Sequence, residues 1–339
     1  MQGPDCIAGA DLGRLSTFRL PARAEKLIIL EHRKQIHALG PPCDLVLGGG
    51  SNTVFIGDVA GRVLLNRLRG IDMEQRGDDV LVTAAAGENW HALVRRTIDA
   101  GLHGLENLAL IPGSVGAAPM QNIGAYGVEL SDVFHHLDAW DFERGEFVQL
   151  GAKDCSFAYR DSRFKSGDRN RFLIASITLR LSTTFDPSRA YDSLAGELDR
   201  HGIARPDARQ LTAAVMRLRR HRLPDPSRLP NAGSFFKNPI VEAGFARDLI
   251  VEHSDIPQWP VAGGWVKLGA GRMIEKLGWK GQSIGDIGVY PNHALVLVNR
   301  GQGRAEQLLE LIRRIERSVE DEFGLRLETE PGLVGSSRG

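Results

Sequence analysis

The sequence predicts an α+β protein of two or three domains. Three observations carry this. Helical and strand patterns follow one another without a regular strand–helix–strand alternation, which disfavours a doubly wound parallel sheet. The chain has 339 residues, against roughly 100–200 per domain. Its 39 glycines fall largely in clusters, which marks loops where backbone must approach something closely.

In order, the spacing of Leu27, Ile28 and Ile36 predicts a helix over 24–39 that stops at Gly40. Leu45-Val46-Leu47 is a short buried strand running into glycines, and Val54-Phe55-Ile56 and Val63-Leu64-Leu65 read as two more. Asp72 to Ala86 reads as a hairpin turning at Arg76-Gly77-Asp78-Asp79. Trp90 to Ala100 is a helix with Leu93, Val94, Thr97 and Ile98 on one side and Gly101 at its end. From Gly101 to Glu129 neither period is present, and such a long irregular stretch inside a domain is often functional. Strands return at Leu137–Phe142 and Phe172–Leu181. Residues 209–220 form a helix with Leu211, Val215 and Leu218 inward, and Leu223-Pro224-Asp225-Pro226 marks a domain boundary. Beyond it, Ala243–Glu252 and Gly271–Leu277 read as short helices and Ala294–Val298 as a core strand. A long helix, Ala305 to Phe323, is closed by Gly324.

Composition narrows the function. Lys plus Arg and Asp plus Glu both total 42, so no global charge calls for nucleic acid or an anionic membrane. Three cysteines, Cys6, Cys43 and Cys155, are too few and too scattered for a disulfide framework or a zinc knuckle. No His/Cys/Asp cluster has ligand spacing, so no metal is expected. The start Met1-Gln2-Gly3-Pro4-Asp5 lacks a signal-peptide pattern, and no apolar run reaches membrane-spanning length. A cytoplasmic, monomeric enzyme is the expectation.

Two loops carry ligand chemistry. Gly48-Gly49-Gly50-Ser51-Asn52 follows a strand, and consecutive glycines let several N–H groups point into one concavity that suits an anion. The pattern is neither G-x-G-x-x-G nor a Walker loop; a plain tight turn is the alternative. The second loop runs from Asn107 through Pro112-Gly113-Ser114-Val115-Gly116 to Gln121-Asn122-Ile123-Gly124-Ala125-Tyr126-Gly127. Its small residues allow backbone to lie flat on a planar ligand. Together the loops suit an extended ligand with phosphates at one end and a ring at the other.

With Gly104–Leu130, Tyr159-Arg160-Asp161-Ser162, Leu223–Pro226, the highly specific Asn231–Pro239 and Leu327-Glu328-Thr329-Glu330, these residues resemble the UDP-N-acetylenolpyruvoylglucosamine reductase family, from about Thr17 to Gly335. The resemblance implies FAD on a vanillyl-alcohol-oxidase-like fold, with flavin subdomains at 1–68 and 69–220, the latter joined by 326–339, and a substrate domain at 221–325. It implies that FAD is held by Gly48, Gly49, Gly50, Ser51, Asn52, Gly113, Ser114, Gly116, Asn122, Gly124 and Ala125. Asn122 and Gln121 would bond ring heteroatoms. Tyr191-Asp192-Ser193-Leu194 resembles the tyrosine loop of the family's longer type.

The implied reaction is NADPH-dependent reduction of UDP-N-acetylglucosamine enolpyruvate to UDP-N-acetylmuramate. It needs a cation at the substrate carboxylate and a proton donor at C2. By the resemblance these are Arg160 and Ser234, with Lys237 as a neighbour to Ser234 and Glu330 as the third catalytic member. Tyr191, Arg219, Arg222, Asn238 and His293 are implied substrate contacts. Two other readings remain open on residues alone: an oxidase sharing the flavin fold, and a nucleotide-binding module without turnover.

Overall fold

The computed structural model describes residues 3–186 and 192–335. The chain is α+β, as expected, and divides into two compact units. The first comprises residues up to Ala10, Ala24–Gly49 and Ala60–His221; the second comprises Asp11–Arg23, Gly50–Val59 and Arg222 onwards.

The first unit holds two sheets. One is four-stranded, in the order Asp5–Asp11, Arg23–Leu30, Val59–Asn66, Leu45–Leu47, and its last pair is parallel. The other is five-stranded and antiparallel, in the order Glu146–Gly151, Phe134–Asp141, Phe172–Ser182, Asp79–Ala85, Ile71–Arg76. Ile28, Leu30, Leu64 and Leu68 from the first pack with Trp140, Leu173 and Ala175 from the second. A larger core gathers Val82, Trp90, Leu93, Leu108, Ile177, Leu211 and Val215 around the helices Trp90–Asp99 and Ala208–Arg222. The 71–85 hairpin turns where expected, with Arg76 opposite Asp79 and Gly77 at a φ of 64°. Asn89 caps the 90–99 helix by accepting from the Ala92 N–H at 2.9 Å.

The helix expected over 24–39 does not form. Residues Arg23–Leu30 are a strand and Arg33–Ala38 a short 3-10 helix. The four consecutive apolar residues Leu27-Ile28-Ile29-Leu30 fit either period, and the two β-branched isoleucines favour the sheet. The Arg67 N–H donates to the Leu30 carbonyl at 2.8 Å, closing the strand's end. The Gln35 side chain accepts from the N–H groups of Glu31 and His32 and starts the next turn. The expected division at 1–68, 69–220 and 221–325 also differs from the compact units. Both expected flavin subdomains lie largely in the first unit, and residues from 326 belong to the second.

The second unit is built on the helix Ala305–Phe323. Leu308, Leu311, Ile312, Ile315, Val319 and Phe323 line its buried face, and Gly324 ends it at a φ of 64°. Its main sheet runs Asn231–Ser234, Val296–Asn299, Ile287–Val289, Ser283–Ile284, all antiparallel. A three-stranded sheet runs Ile240–Glu242, Trp265–Leu268, Gln258–Val261, and Gly332–Val334 pairs in parallel with Thr53–Phe55. Among the described residues no helix is long and apolar enough to cross a membrane.

Two buried asparagines tie the early segments into this unit. The Asn299 amide donates to the carbonyls of Phe18 (3.1 Å) and Arg19 (3.4 Å) and accepts from the N–H groups of Gly301 and Gly303 (both 3.0 Å). The Asn231 amide donates to the Pro224 and Leu229 carbonyls, its backbone N–H donates to the Thr17 carbonyl, and the Thr17 hydroxyl donates to the Asn231 carbonyl. Asn299→Ala strips partners from several backbone groups at once. It is expected to lower unfolding stability by about 2–4 kcal/mol, read as a fall in the urea midpoint. An unchanged midpoint would remove Asn299 from this role.

Candidate active site

The two glycine-rich loops meet within the first unit. A Cβ on Gly49 would lie 2.8 Å from the Gly113 Cα and 3.0 Å from its carbonyl carbon; one on Gly48 would lie 2.1 Å from the Ser114 Oγ. Only glycine permits that approach. The second loop is fixed from the 90–99 helix: the Trp90 N–H donates to the Gly113 carbonyl at 3.1 Å, and the Trp90 indole to the Leu108 carbonyl at 3.0 Å. Val115 and Gly116 donate to the carbonyls of Glu88 and Ala86. Ser114 is buried, and its hydroxyl has no hydrogen-bond partner within the protein.

Further along, Gly124 offers its carbonyl to the Arg160 guanidinium, with Nη2 donating at 2.7 Å. Arg160 sits at a φ of 54° in a turn closed by reciprocal bonds between Ala158 and Asp161. The Ser162 hydroxyl donates to the Met120 carbonyl at 2.7 Å, so the turn is anchored to the 119–125 loop at two points. Arg219, half-buried on the 208–222 helix, donates from Nε to the Leu110 carbonyl at 3.3 Å. Burial lowers its pKa most, with nearby Arg160 acting in the same direction and Tyr126 opposing. Arg160, Arg219 and Tyr126 therefore act on one neighbourhood.

Asn122 departs from its expected task. It is 1% exposed, at a φ of 43°; its Nδ2 donates to Glu129 at 2.7 Å and its Oδ1 accepts from the Ser131 N–H at 3.0 Å. These bonds hold the loop's own shape. Gly48, Gly49, Gly113, Ser114, Gly116, Gly124 and Ala125 all belong to the first unit, whereas Gly50, Ser51 and Asn52 belong to the second.

Within the second unit the strand Asn231–Ser234 is followed by a segment that bonds the chain around Glu330. The Glu330 N–H donates to the Phe235 carbonyl at 2.9 Å, and Thr329 bridges Phe236. The Asn52 amide donates to the Glu330 carbonyl at 3.3 Å, and the Gly332 N–H returns to the Asn52 carbonyl at 2.9 Å. Asn52 thus positions the segment that carries the glutamate. Lys237, expected beside Ser234, pairs instead with Glu328 at 2.8 Å. Asn238 accepts from the Ala270 N–H at 3.1 Å at the start of the 270–276 helix. His293 accepts at Nδ1 from the Leu295 N–H at 3.2 Å; burial, then Arg222 and Lys280, lower its pKa, with Glu275 opposing. Lys280 and Glu275 were not singled out from sequence, and their only signal there is charge. Tyr191 lies outside the described residues. Arg160 belongs to the first unit. Among the described residues no group of three or more His, Cys, Asp or Glu could hold a metal.

Comparison with known proteins gives the same division of labour. Residues 44–151 match the FAD binding domain family, and residues 225–334 match the UDP-N-acetylenolpyruvoylglucosamine reductase, C-terminal domain family. The UDP-N-acetylenolpyruvoylglucosamine reductase of Azoarcus sp. (strain BH72) is 47% identical over 337 residues, covering 96% of each chain. That of Ralstonia nicotianae is 47% identical over 334 residues, covering 95% of this chain and 97% of its own. The crystal structure of the Thermus caldophilus reductase superposes with a TM-score of 0.68 at 25% identity, covering 99% of this chain and all of the other. The class is therefore an FAD-dependent oxidoreductase. More narrowly, the chain belongs to the UDP-N-acetylenolpyruvoylglucosamine reductase family.

The loops fit the cofactor. Ser114 presents a buried hydroxyl without a partner beside Gly48, and Gly49 lies against the Gly113 backbone and the Ser114 nitrogen, an arrangement that suits a diphosphate. Gly49→Ala forces the two backbones apart. Its expected effect is a loss of about 1–3 kcal/mol in FAD affinity, roughly 10- to 100-fold, measured by flavin fluorescence quenching. Gly167→Ala, where a Cβ meets nothing within 4 Å, is the control and should bind FAD normally. Equal affinity in the two variants would refute the cradle.

Proposed function

We propose that the chain reduces UDP-N-acetylglucosamine enolpyruvate to UDP-N-acetylmuramate in the cytoplasm, as a monomer, with NADPH as electron source. Bound FAD supplies the hydride, taken from NADPH and delivered from N5 to C3 of the enolpyruvyl group. The observation that carries the reading is the hydrogen bond from the Glu330 N–H to the carbonyl of Phe235, the residue next to Ser234, within the unit that matches the reductase C-terminal family.

The residues divide the remaining work by their chemistry. Hydride arrival at C3 leaves an electron pair at C2 that is delocalised onto the adjacent carboxylate. Arg160 holds that carboxylate and stabilises the charge, its guanidinium remaining protonated at any working pH. The Ser234 hydroxyl gives its proton to C2, completing a methyl-bearing ether carbon. Glu330 hydrogen-bonds the intermediate and, with Arg160, stabilises it. The buried Ser114 hydroxyl, Gly48–Asn52 and Gly113–Ala125 hold the diphosphate and flavin. Arg219, Arg222, Asn238, His293 and Tyr191 bind the nucleotide-sugar; for Asn238 the free role is its amide nitrogen, since its oxygen caps a helix.

A single assay tests the reading: yellow protein that oxidises NADPH only when the enolpyruvyl substrate is added. Rapid turnover with oxygen alone would point to an oxidase instead. Ser234→Ala is expected to leave flavin reduction by NADPH intact while slowing reoxidation by substrate at least roughly 100-fold, the range of a lost general acid. Stopped-flow absorbance separates the two half-reactions. An unaltered reoxidation rate would remove Ser234 as the proton donor.

A further inference from the structure

The segment leading into Gly113-Ser114 carries a strained residue held from two sides. Leu110 has a φ of 60°, a conformation that costs a bulky side chain about 1–3 kcal/mol. Its N–H donates to Nδ1 of His91 at 3.0 Å, and its carbonyl accepts from Nε of Arg219 at 3.3 Å. His91 occupies the first turn of the 90–99 helix, next to Trp90, which bonds the same segment at Leu108 and Gly113. The first turn of one helix and the side of another thus clamp the strained residue three positions before the glycine that touches Gly49.

The His91 contact has one chemical requirement. Nδ1 must be unprotonated to accept from the Leu110 N–H, so the ring's single proton is on Nε2. A doubly protonated ring is a donor at both nitrogens and faces the Leu110 N–H with another N–H.

We propose that His91 is a positioning residue for the flavin loop, and that the protein's hold on FAD weakens when His91 takes up a second proton. This rests on the flavin reading of the 113–125 loop. The charged groups that bear on His91 are Arg95 on its own helix and Arg219 and Arg220 on the 208–222 helix. Burial first, and then these three cations, hold its pKa below the ordinary 6.5. The sign follows: the neutral ring, and with it the clamp, is complete above pH 6.5 and is lost as pH falls through the lowered pKa.

The test follows FAD release from diluted holoenzyme by flavin fluorescence, from about pH 8 down to about pH 5, the range in which histidines titrate. The wild type should lose affinity roughly tenfold across its low-pH limb, the equivalent of one backbone hydrogen bond. His91→Asn places an amide oxygen where Nδ1 stands and does not titrate; it should keep FAD with that limb flattened. His91→Phe keeps the ring's volume without the acceptor and should bind weakly at every pH. Amide exchange at Leu110 in the flavin-stripped protein supplies a second readout: protected in the wild type at pH 8 and in His91→Asn, fast in His91→Phe. The inference is overturned if His91→Asn titrates like the wild type, or if His91→Phe retains FAD and protection at Leu110. A wild type that binds no FAD at any pH would overturn the flavin reading, while exchange at Leu110 would still decide the clamp.

Discussion

The backbone contact between Gly49 and Gly113 is the constraint on which the first unit's chemistry depends. It brings together loops from distant parts of the chain without any side chain between them. Everything around it makes that approach rigid. Four non-glycine residues of the surrounding loops, Leu110, Asn122, Tyr126 and Arg160, have φ between 43° and 60°. Each such residue costs free energy and persists only where neighbours over-determine it. Here each has a named restraint. His91 and Arg219 hold Leu110; Glu129 and Ser131 hold Asn122; the Asn107 amide holds the Tyr126 carbonyl at 2.8 Å; Lys165 holds the Arg160 carbonyl at 3.3 Å. Four of the first unit's six described non-glycine residues of positive φ thus lie along these loops, and Ser156 and Asn170 lie outside them.

The second unit reaches a similar end by a different route. Its ordering depends on buried amides rather than glycine contacts. The Asn299 amide fastens the early 11–23 segment, the Asn231 amide holds the Pro224 and Leu229 carbonyls, and the Asn52 amide bonds the Glu330 carbonyl. An asparagine can donate and accept at once, so one side chain can satisfy backbone groups on two segments. This explains how short stretches far apart in the chain, 11–23 and 50–59, become part of a unit otherwise formed after residue 222. The pairing of Gly332–Val334 with Thr53–Phe55 completes the same connection in backbone.

Much of this was legible in the sequence where local pattern and tertiary need agree. The 305–323 helix, the 243–252 helix and the 71–85 hairpin follow from periodicity and turn chemistry that no neighbour contradicts. The 23–30 strand was not legible as such, because a continuous apolar run satisfies a helix face and a buried strand equally, and the sheet decides. The site shows the same split. The glycine loops and Ser234 could be found because glycine clusters and a specific motif mark them. The occupations of Asn122, Lys237 and His91 could not, since each is set by a partner distant in sequence or by the direction of a side chain. Lys237 is the plainest case: adjacency in sequence suggests a bond to Ser234, while its ammonium pairs with Glu328, 91 residues away in the chain.

The charges give the arrangement its direction. The chain is neutral as a whole, yet each unit gathers cations against partly buried surroundings. In the first, Arg160 and Arg219 are near enough for one to lower the other's pKa; in the second, Arg222 and Lys280 both disfavour the charged form of His293. Like charges held together at a half-buried site raise the free energy of the protein alone, and an anion that reaches them lowers it. A ligand carrying both a diphosphate and a carboxylate relieves more of that repulsion than a neutral sugar would. Discrimination by charge therefore requires no net positive protein, only cations gathered locally. Glu275, which bonds Lys280 at 3.0 Å and opposes the shift at His293, sets how strong that bias is in the second unit.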